Sequence, residues 1–181
     1  MEKTMQNARG LSNQKIKMLV MTGLFMALGC VATMVLRVPS PTGGYMNLGD
    51  AGIMLGAFLL GPVYGALAGG VGAAMADLLA GYTAYVPGTL VIKALMGLAA
   101  GGLYKALRER RGGMLVCAAV GEAIMVTGYW LYDAVLLKSF LGSAAGIPSN
   151  LVQAAFGLAV SGFLTALLRR NAYVRREFPR L

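Results

Sequence analysis

Histidine is absent from the 181 residues, and that lack removes His-assisted nucleophilic triads, zinc-protease motifs and His-ligated metal centres from consideration. Cysteine is nearly as scarce. Cys30 and Cys117 both lie within apolar runs, too few and too far apart for a disulfide framework or a paired-cysteine metal knuckle. Charge is the third shortage: 13% of residues are Asp, Glu, Lys or Arg, where a water-facing domain uses about a quarter. A phosphate-cradling GxxxxGK[S/T] loop is missing too, so the chain cannot hydrolyse ATP by that mechanism. Gly70-Val71-Gly72 opens like a dinucleotide fingerprint, but Met75 stands where the third glycine belongs and no strand precedes it. No cofactor is expected.

What the sequence has in quantity is apolar residues, 57% of the chain, and 26 glycines. Six spans of about 20 residues would occupy about 120 positions, which describes a small polytopic membrane protein. The net charge of +9 could indicate nucleic acid, but its distribution argues otherwise. Thirteen of the sixteen Lys and Arg fall in three clusters: Lys3, Arg9, Lys15 and Lys17; Lys105, Arg108, Arg110 and Arg111; and Arg169, Arg170, Arg175, Arg176 and Arg180. Each cluster flanks an apolar segment. This positive-inside pattern puts all three clusters and both termini in the cytoplasm and leaves no aromatic-interleaved stripe for nucleic acid.

The first segment, about Ile16 to Leu36, lacks a small-residue cleavage site and reads as a retained helix rather than a signal peptide. Later spans are about Gly88 to Leu107, Met114 to Leu137 and Ser149 to Leu168. The stretch Leu48 to Gly81 is long for one helix and short for two. A break at Gly61-Pro62 gives six spans and keeps every basic cluster inside, so the spacing predicts helices over Leu48 to Leu60 and Val63 to Gly81. The expectation is one all-α membrane domain: a cytoplasmic tail over 1–15, a six-helix bundle over 16–169 and a second cytoplasmic tail over 170–181. The outer loops are then Val38 to Asn47, Tyr82 to Pro87 and Lys138 to Pro148.

Gly52-x3-Gly56, Gly65-x3-Gly69, Gly97-x3-Gly101 and Gly23-x3-Ala27 are small-residue ridges that let helix backbones approach closely in lipid. The Gly23/Ala27 ridge on the first helix is the one expected to face another protein.

An ionisable group inside the membrane costs several kcal/mol unless paired or hydrated. Outside the basic clusters such groups are Asp50, Asp77, Glu122, Asp133, Arg37, Lys93 and Lys138, five of them near outer helix ends. Glu122, Tyr129 and Asp133 fall within about 40° on one helix face. Asn150, Gln153, Gly157 and Ser161 form a second polar and small stripe. Stripes converging on one side describe a cavity open to the outside, with Tyr82, Tyr85, Tyr129, Trp130 and Tyr132 at the same depth to stack on a flat ring. Plainer roles exist for several of these residues. Asn47 and Asp50 would serve as helix caps, Tyr82 and Tyr85 as an interfacial belt, and Lys93 with Asp77 as a structural ion pair. A channel or structural subunit would use the same residues to line a path, yet below Glu122 the stripes turn to Gly, Ala and Leu, which favours a blind pocket.

Asn47-Leu-Gly-Asp50, Gly61-Pro-Val-Tyr-Gly65, Ala76-Asp-Leu-Leu-Ala-Gly-Tyr82, Ile92-Lys-Ala-Leu-Met-Gly97 and Gly121-Glu-Ala-Ile-Met-Val-Thr-Gly-Tyr129, in that order, resemble the substrate-binding S components of energy-coupling factor (ECF) vitamin transporters. The likeness covers about Lys15 to Arg170 and is greatest to the branch named for riboflavin, hydroxymethylpyrimidine and pyridoxine uptake. It implies a multi-pass subunit of the bacterial plasma membrane, not an enzyme, that captures a vitamin outside and topples to release it inside. Its implied partners are a transmembrane coupling subunit and two cytoplasmic ATPases that supply the energy. Gly23 and Ala27 match the family's docking motif, though Ala is commoner at both positions, and Val38 to Asn47 matches its gate. The expected substrate-binding residues are Asn47, Asp50, Asp77, Tyr85, Lys93, Glu122, Tyr129, Asp133, Asn150 and Gln153. Acids outnumber bases among them, which favours pyridoxine or a hydroxymethylpyrimidine-like precursor over an anion.

Overall fold

Gly61 adopts a φ of +93°, a backbone conformation open to glycine at little cost, and Pro62 follows at the first position of the next helix. The apolar stretch therefore divides where the sequence predicts. The computed structural model describes the backbone of residues 2–181 and the side chains from residue 13 onward. In chain order the elements are α1 (Glu2–Val35), β1 (Arg37–Pro39), β2 (Tyr45–Asn47), α2 (Gly49–Leu60), α3 (Pro62–Leu79), α4 (Val86–Leu107), α5 (Gly113–Leu136), α6 (Phe140–Ser143), a 3-10 turn (Ala144–Gly146), α7 (Ile147–Arg170) and α8 (Ala172–Glu177).

Among the described residues five stretches are long and apolar enough to cross a membrane: Asn13–Val35, Pro62–Leu79, Val86–Leu107, Gly113–Leu136 and Phe140–Arg170. A shorter apolar helix, α2, has 12 residues and would cover about 18 Å of a hydrocarbon core about 30 Å thick. Eleven of its 12 residues are buried. That burial is required, because a helix ending within the membrane leaves backbone N–H groups that only protein or trapped water can satisfy. β2 leads directly into its upper end.

Two expectations are corrected. The outer loop Val38 to Asn47 is an antiparallel hairpin, with Arg37 opposite Asn47, Val38 opposite Met46 and Pro39 opposite Tyr45, set into an otherwise helical fold. Gly43 at φ +91° and the Ser40–Gly44 backbone bond of 2.9 Å close its turn. Lys138 to Pro148 is not an open loop either, since it holds α6 and the 3-10 turn. In addition, α1 begins at Glu2, so the stretch expected as a tail is helical.

The glycine ridges seat α3 between α2 and α4. A Cβ at Gly65 would lie 2.5 Å from the Ala57 α-carbon, one at Gly69 2.6 Å from Ile53, and one at Gly97 2.8 Å from the Gly65 carbonyl oxygen. A side chain at any of these positions would push the helices apart. The resulting interior at the lower end is filled by Met54, Phe58, Met96, Tyr104, Cys117 and Met125, all 2% exposed or less.

The C-terminal segment meets α1, α4 and α7 at one end of the bundle. Lys17 pairs with the Glu177 carboxylate, Arg169 donates to the carbonyls of Arg108 and Leu181, and Arg108 donates to those of Pro179 and Arg180. The short α8 and the last four residues thus fold back beneath α2 and α7, with Phe178 and Leu181 packed on Leu60 and Leu168.

Candidate functional site

At the opposite end, the hairpin lies over a cavity walled by α3, α4, α5 and α7. The cavity measures about 20 Å³, room for about one water molecule. Asp77 reaches it from the last turn of α3, Thr89 from the first turn of α4, Tyr129 and Asp133 from α5, and Asn150 from the first turn of α7. Tyr85, just before α4, closes one side, and the hairpin contributes Ser40, Thr42, Tyr45 and Asn47.

Hydroxyls tie the hairpin to the acids below it. Tyr45 donates to Asp77 Oδ1 at 2.5 Å, and the Tyr85 hydroxyl lies 2.9 Å from Asp133 Oδ1 and 3.1 Å from the Thr42 carbonyl. Burial first, and the neighbouring carboxylate second, push both phenols above their ordinary values, so each stays a protonated donor. Ser40 meets Ser149 of α7 at 3.1 Å, and Thr89 meets Tyr129 at 2.9 Å. Asp77 Oδ2 is buried and, among the described residues, has no hydrogen-bond partner. No Lys or Arg lines the cavity.

A second polar layer lies beneath. Lys93, seven residues into α4 and 1% exposed, forms an ion pair with Asp50 at the start of α2, also 1% exposed. Gln153 donates to Asp50 Oδ2 at 2.5 Å and accepts from the Asn47 backbone N–H at 2.7 Å, linking the ion pair to the hairpin. The Lys93 ammonium sits 5.3 Å from the centre of the Tyr129 ring, a cation–π distance that places the two layers in contact. Glu122 borders this layer. It faces Gly157, where a Cβ would strike its carboxyl, and neither of its oxygens has a partner among the described residues. Below Glu122 the interior is packed by Met54, Phe58, Met96, Tyr104, Cys117 and Met125, with Ser161 and Thr165 of α7 as buried polar groups at that depth.

The ten sequence-predicted residues therefore divide. Asn47, Asp77, Tyr85, Tyr129, Asp133 and Asn150 line the cavity, whereas Asp50, Lys93, Glu122 and Gln153 form the layer under it. Asn47 also holds the helix start, its side chain accepting the Gly49 N–H at 2.9 Å. Asp77, anticipated as a partner for Lys93, bonds Tyr45 instead. Ser40, Thr42, Tyr45 and Thr89 were not anticipated in the wall. Hydroxyl residues carry no periodic signal, although the Thr-Gly-Gly turn preceding Tyr45 marks a hairpin that would fold over the mouth. Trp130 packs against Phe140 and Tyr132 bonds the Ala84 carbonyl, so neither faces the cavity. Among the described residues no group of His, Cys, Asp and Glu is arranged to hold a metal ion. Gly23 and Ala27 lie exposed on the outer face of α1, and a Cβ at Gly23 would meet nothing within 4 Å.

Comparison with known proteins gives consistent results. Residues 13–170 match the family described as "ECF-type riboflavin transporter, S component". A Pyrococcus woesei protein described as "Uncharacterized protein in gap 3'region" is 39% identical over 142 residues, 78% of this chain and 94% of that protein. The thiamine precursor transporter HmpT of Lactococcus lactis subsp. cremoris (strain MG1363) is 29% identical over 164 residues, 89% of this chain and 93% of that one. Among solved structures, the S component for biotin from an ECF-type ABC transporter aligns with a TM-score of 0.67 at 20% identity, covering 92% of this chain and 97% of that chain. The S component of a bacterial ECF transporter aligns at 0.61 and 20% identity, covering 86% and 95%.

Proposed function

Because the chain belongs to the family of ECF-type riboflavin transporter S components, we propose that its hairpin-covered cavity captures a small, neutral or weakly basic heterocycle of the hydroxymethylpyrimidine or pyridoxine kind. The observation that carries this is Asp77 Oδ2, a buried acceptor without a partner in a wall that has two carboxylates and no base. An orphaned buried acceptor costs about 1–3 kcal/mol, which a ligand N–H or O–H would recover on binding. A ring amine or hydroxymethyl group supplies such a donor, while Tyr45, Tyr85 and Thr89 offer hydroxyls to ring nitrogens. An anionic vitamin would meet Asp77 and Asp133 with no compensating cation, since Lys93 is already neutralised by Asp50. The thiamine-precursor relative favours the same substrate class.

A cavity of about one water's volume cannot hold a six-membered ring with substituents, so entry requires the hairpin to lift. Its ties are Tyr45–Asp77, Tyr85–Thr42, Ser40–Ser149 and Asn47–Gln153. Closing again over the ligand would seal it from the outer side. Release inward needs an energy source this chain lacks, and we assign it to a transmembrane coupling subunit with two cytoplasmic ATPases. The exposed Gly23/Ala27 face of α1 is the proposed docking ridge, with both termini cytoplasmic by the charge pattern.

Calorimetric titration of the purified protein with hydroxymethylpyrimidine, pyridoxine, riboflavin, thiamine and pantothenate tests the assignment. Tightest binding of one of the first two is expected. Binding of pantothenate alone, or of riboflavin alone, would overturn it.

A further inference from the structure

At the end opposite the hairpin, a cavity of about 480 Å³ opens beside the Gly61-Pro62 corner. Lys105 from the last turn of α4, Arg108 from its C-terminal cap and Arg180 from the folded-back tail all line it, together with Pro62, Val63 and Tyr64 of α3. These cations come from two separate parts of the chain, so their convergence is a product of the fold and not of one charge run. Arg108 is occupied in holding the tail and pairs with Glu109 at 3.2 Å. Lys105 and Arg180 have no carboxylate partner among the described residues. The amino end of α3 faces the same space, and its first N–H groups add partial positive charge.

We propose that this cavity binds the phosphate group of an anionic phospholipid. Three basic side chains around a helix start supply the recognition of a phosphate oxyanion. The lipid as its source follows from the neighbouring surface: Val63 is 61% exposed and Leu67, one turn further along the same face of α3, 46% exposed. That apolar track leads from the cavity along the membrane-crossing helix and suits an acyl chain. The site lies at the end where the C-terminal segment packs and Lys17 pairs with Glu177, which the charge pattern assigns to the cytoplasmic leaflet. The assignment does not depend on which vitamin is captured.

Native mass spectrometry of the purified full chain in detergent, titrated with dioleoyl-phosphatidylglycerol or dioleoyl-phosphatidylcholine, tests it directly. One phosphatidylglycerol should bind in preference to phosphatidylcholine. Each cation near a membrane surface is worth about a fivefold change in affinity, so K105Q/R180Q should weaken phosphatidylglycerol binding about thirtyfold. R110Q/R111Q removes the same charge from the neighbouring turn and should leave it within about twofold. K105Q alone, at a side chain with no hydrogen bond among the described residues, should cost about fivefold and covers the case in which the double variant does not fold. Equal binding of the two lipids, equal losses in both double variants, or displacement of the lipid by sub-millimolar inorganic phosphate would each overturn the proposal.

Discussion

The buried Asp50–Lys93 pair separates a structural role for these residues from direct ligand contact, and a double-mutant cycle reads the difference. Both side chains are 1% exposed, and Gln153 donates a further hydrogen bond to the Asp50 carboxylate. Lys93→Met would leave a carboxylate in an apolar interior with one amide for company. Asp50→Asn would leave an ammonium facing a neutral acceptor and Tyr129. Breaking a buried pair from either side costs about 3–5 kcal/mol, whereas replacing both partners with neutral groups of similar volume is close to neutral. At about 2–4 °C per kcal/mol for a chain of this size, each single variant should unfold about 6–20 °C lower in detergent. The double variant should recover most of that loss, and two losses of this size against a near-neutral double correspond to a coupling energy of about 6–10 kcal/mol. Thermal unfolding of the four proteins, followed by circular dichroism, measures the cycle, and ligand affinity is measured in parallel. An additive double variant would refute the pair as an internal strut. A double variant that is stable but has lost ligand binding entirely would place Lys93 or Asp50 in contact with ligand.

Three further outcomes follow from the same geometry. Gly65→Ala puts a methyl group 2.5 Å from the Ala57 α-carbon and should cost about 1–3 kcal/mol by detergent unfolding, while Gly102→Ala, with open space around it, should be neutral or stabilising by about 0.5–1 kcal/mol. Tyr45→Phe removes the 2.5 Å bond that fastens the hairpin to Asp77; stopped-flow release of ligand should quicken about tenfold, at about 1.5 kcal/mol for a bond to a charged group. Gly23→Leu adds bulk to an exposed helix face, so ligand affinity of the purified subunit should be unchanged while cellular uptake falls to background; retained uptake would remove this face from the docking surface.

Helix positions were largely legible because period and length survive in a lipid-facing sequence. Charge sidedness called for a break in this stretch and the Gly61-Pro62 pair located it, and the structure places the turn there with α3 starting at Pro62. The hairpin was not read, because three-residue strands leave too short an alternation to distinguish from a loop. Within the site, spacing along α5 correctly grouped Tyr129 and Asp133 on the cavity wall. It could not give relative depth across helices. The spacing therefore sets Lys93 against Asp77, whereas its partner is Asp50 in the first turn of α2. Glu122 lies on the same face as Tyr129 but below the cavity, a displacement of seven residues or about 10 Å that projection down a helix axis conceals.

The brevity of α2 also has an electrical consequence. Were the hairpin to lift as proposed, water would reach the level of Asp50, and the packed protein along α2 would be about 18 Å deep instead of about 30 Å. A voltage across the membrane then falls over this thinner septum, steepening the local field by about 1.7-fold. A ligand resting above Asp50 and Lys93 sits at the edge of that drop and has crossed almost none of it. For a charged ligand, the work of about 2.3 kcal/mol per elementary charge per 100 mV would then fall on the later passage beyond the septum, so the proposed capture would be insulated from membrane potential and the proposed release would not.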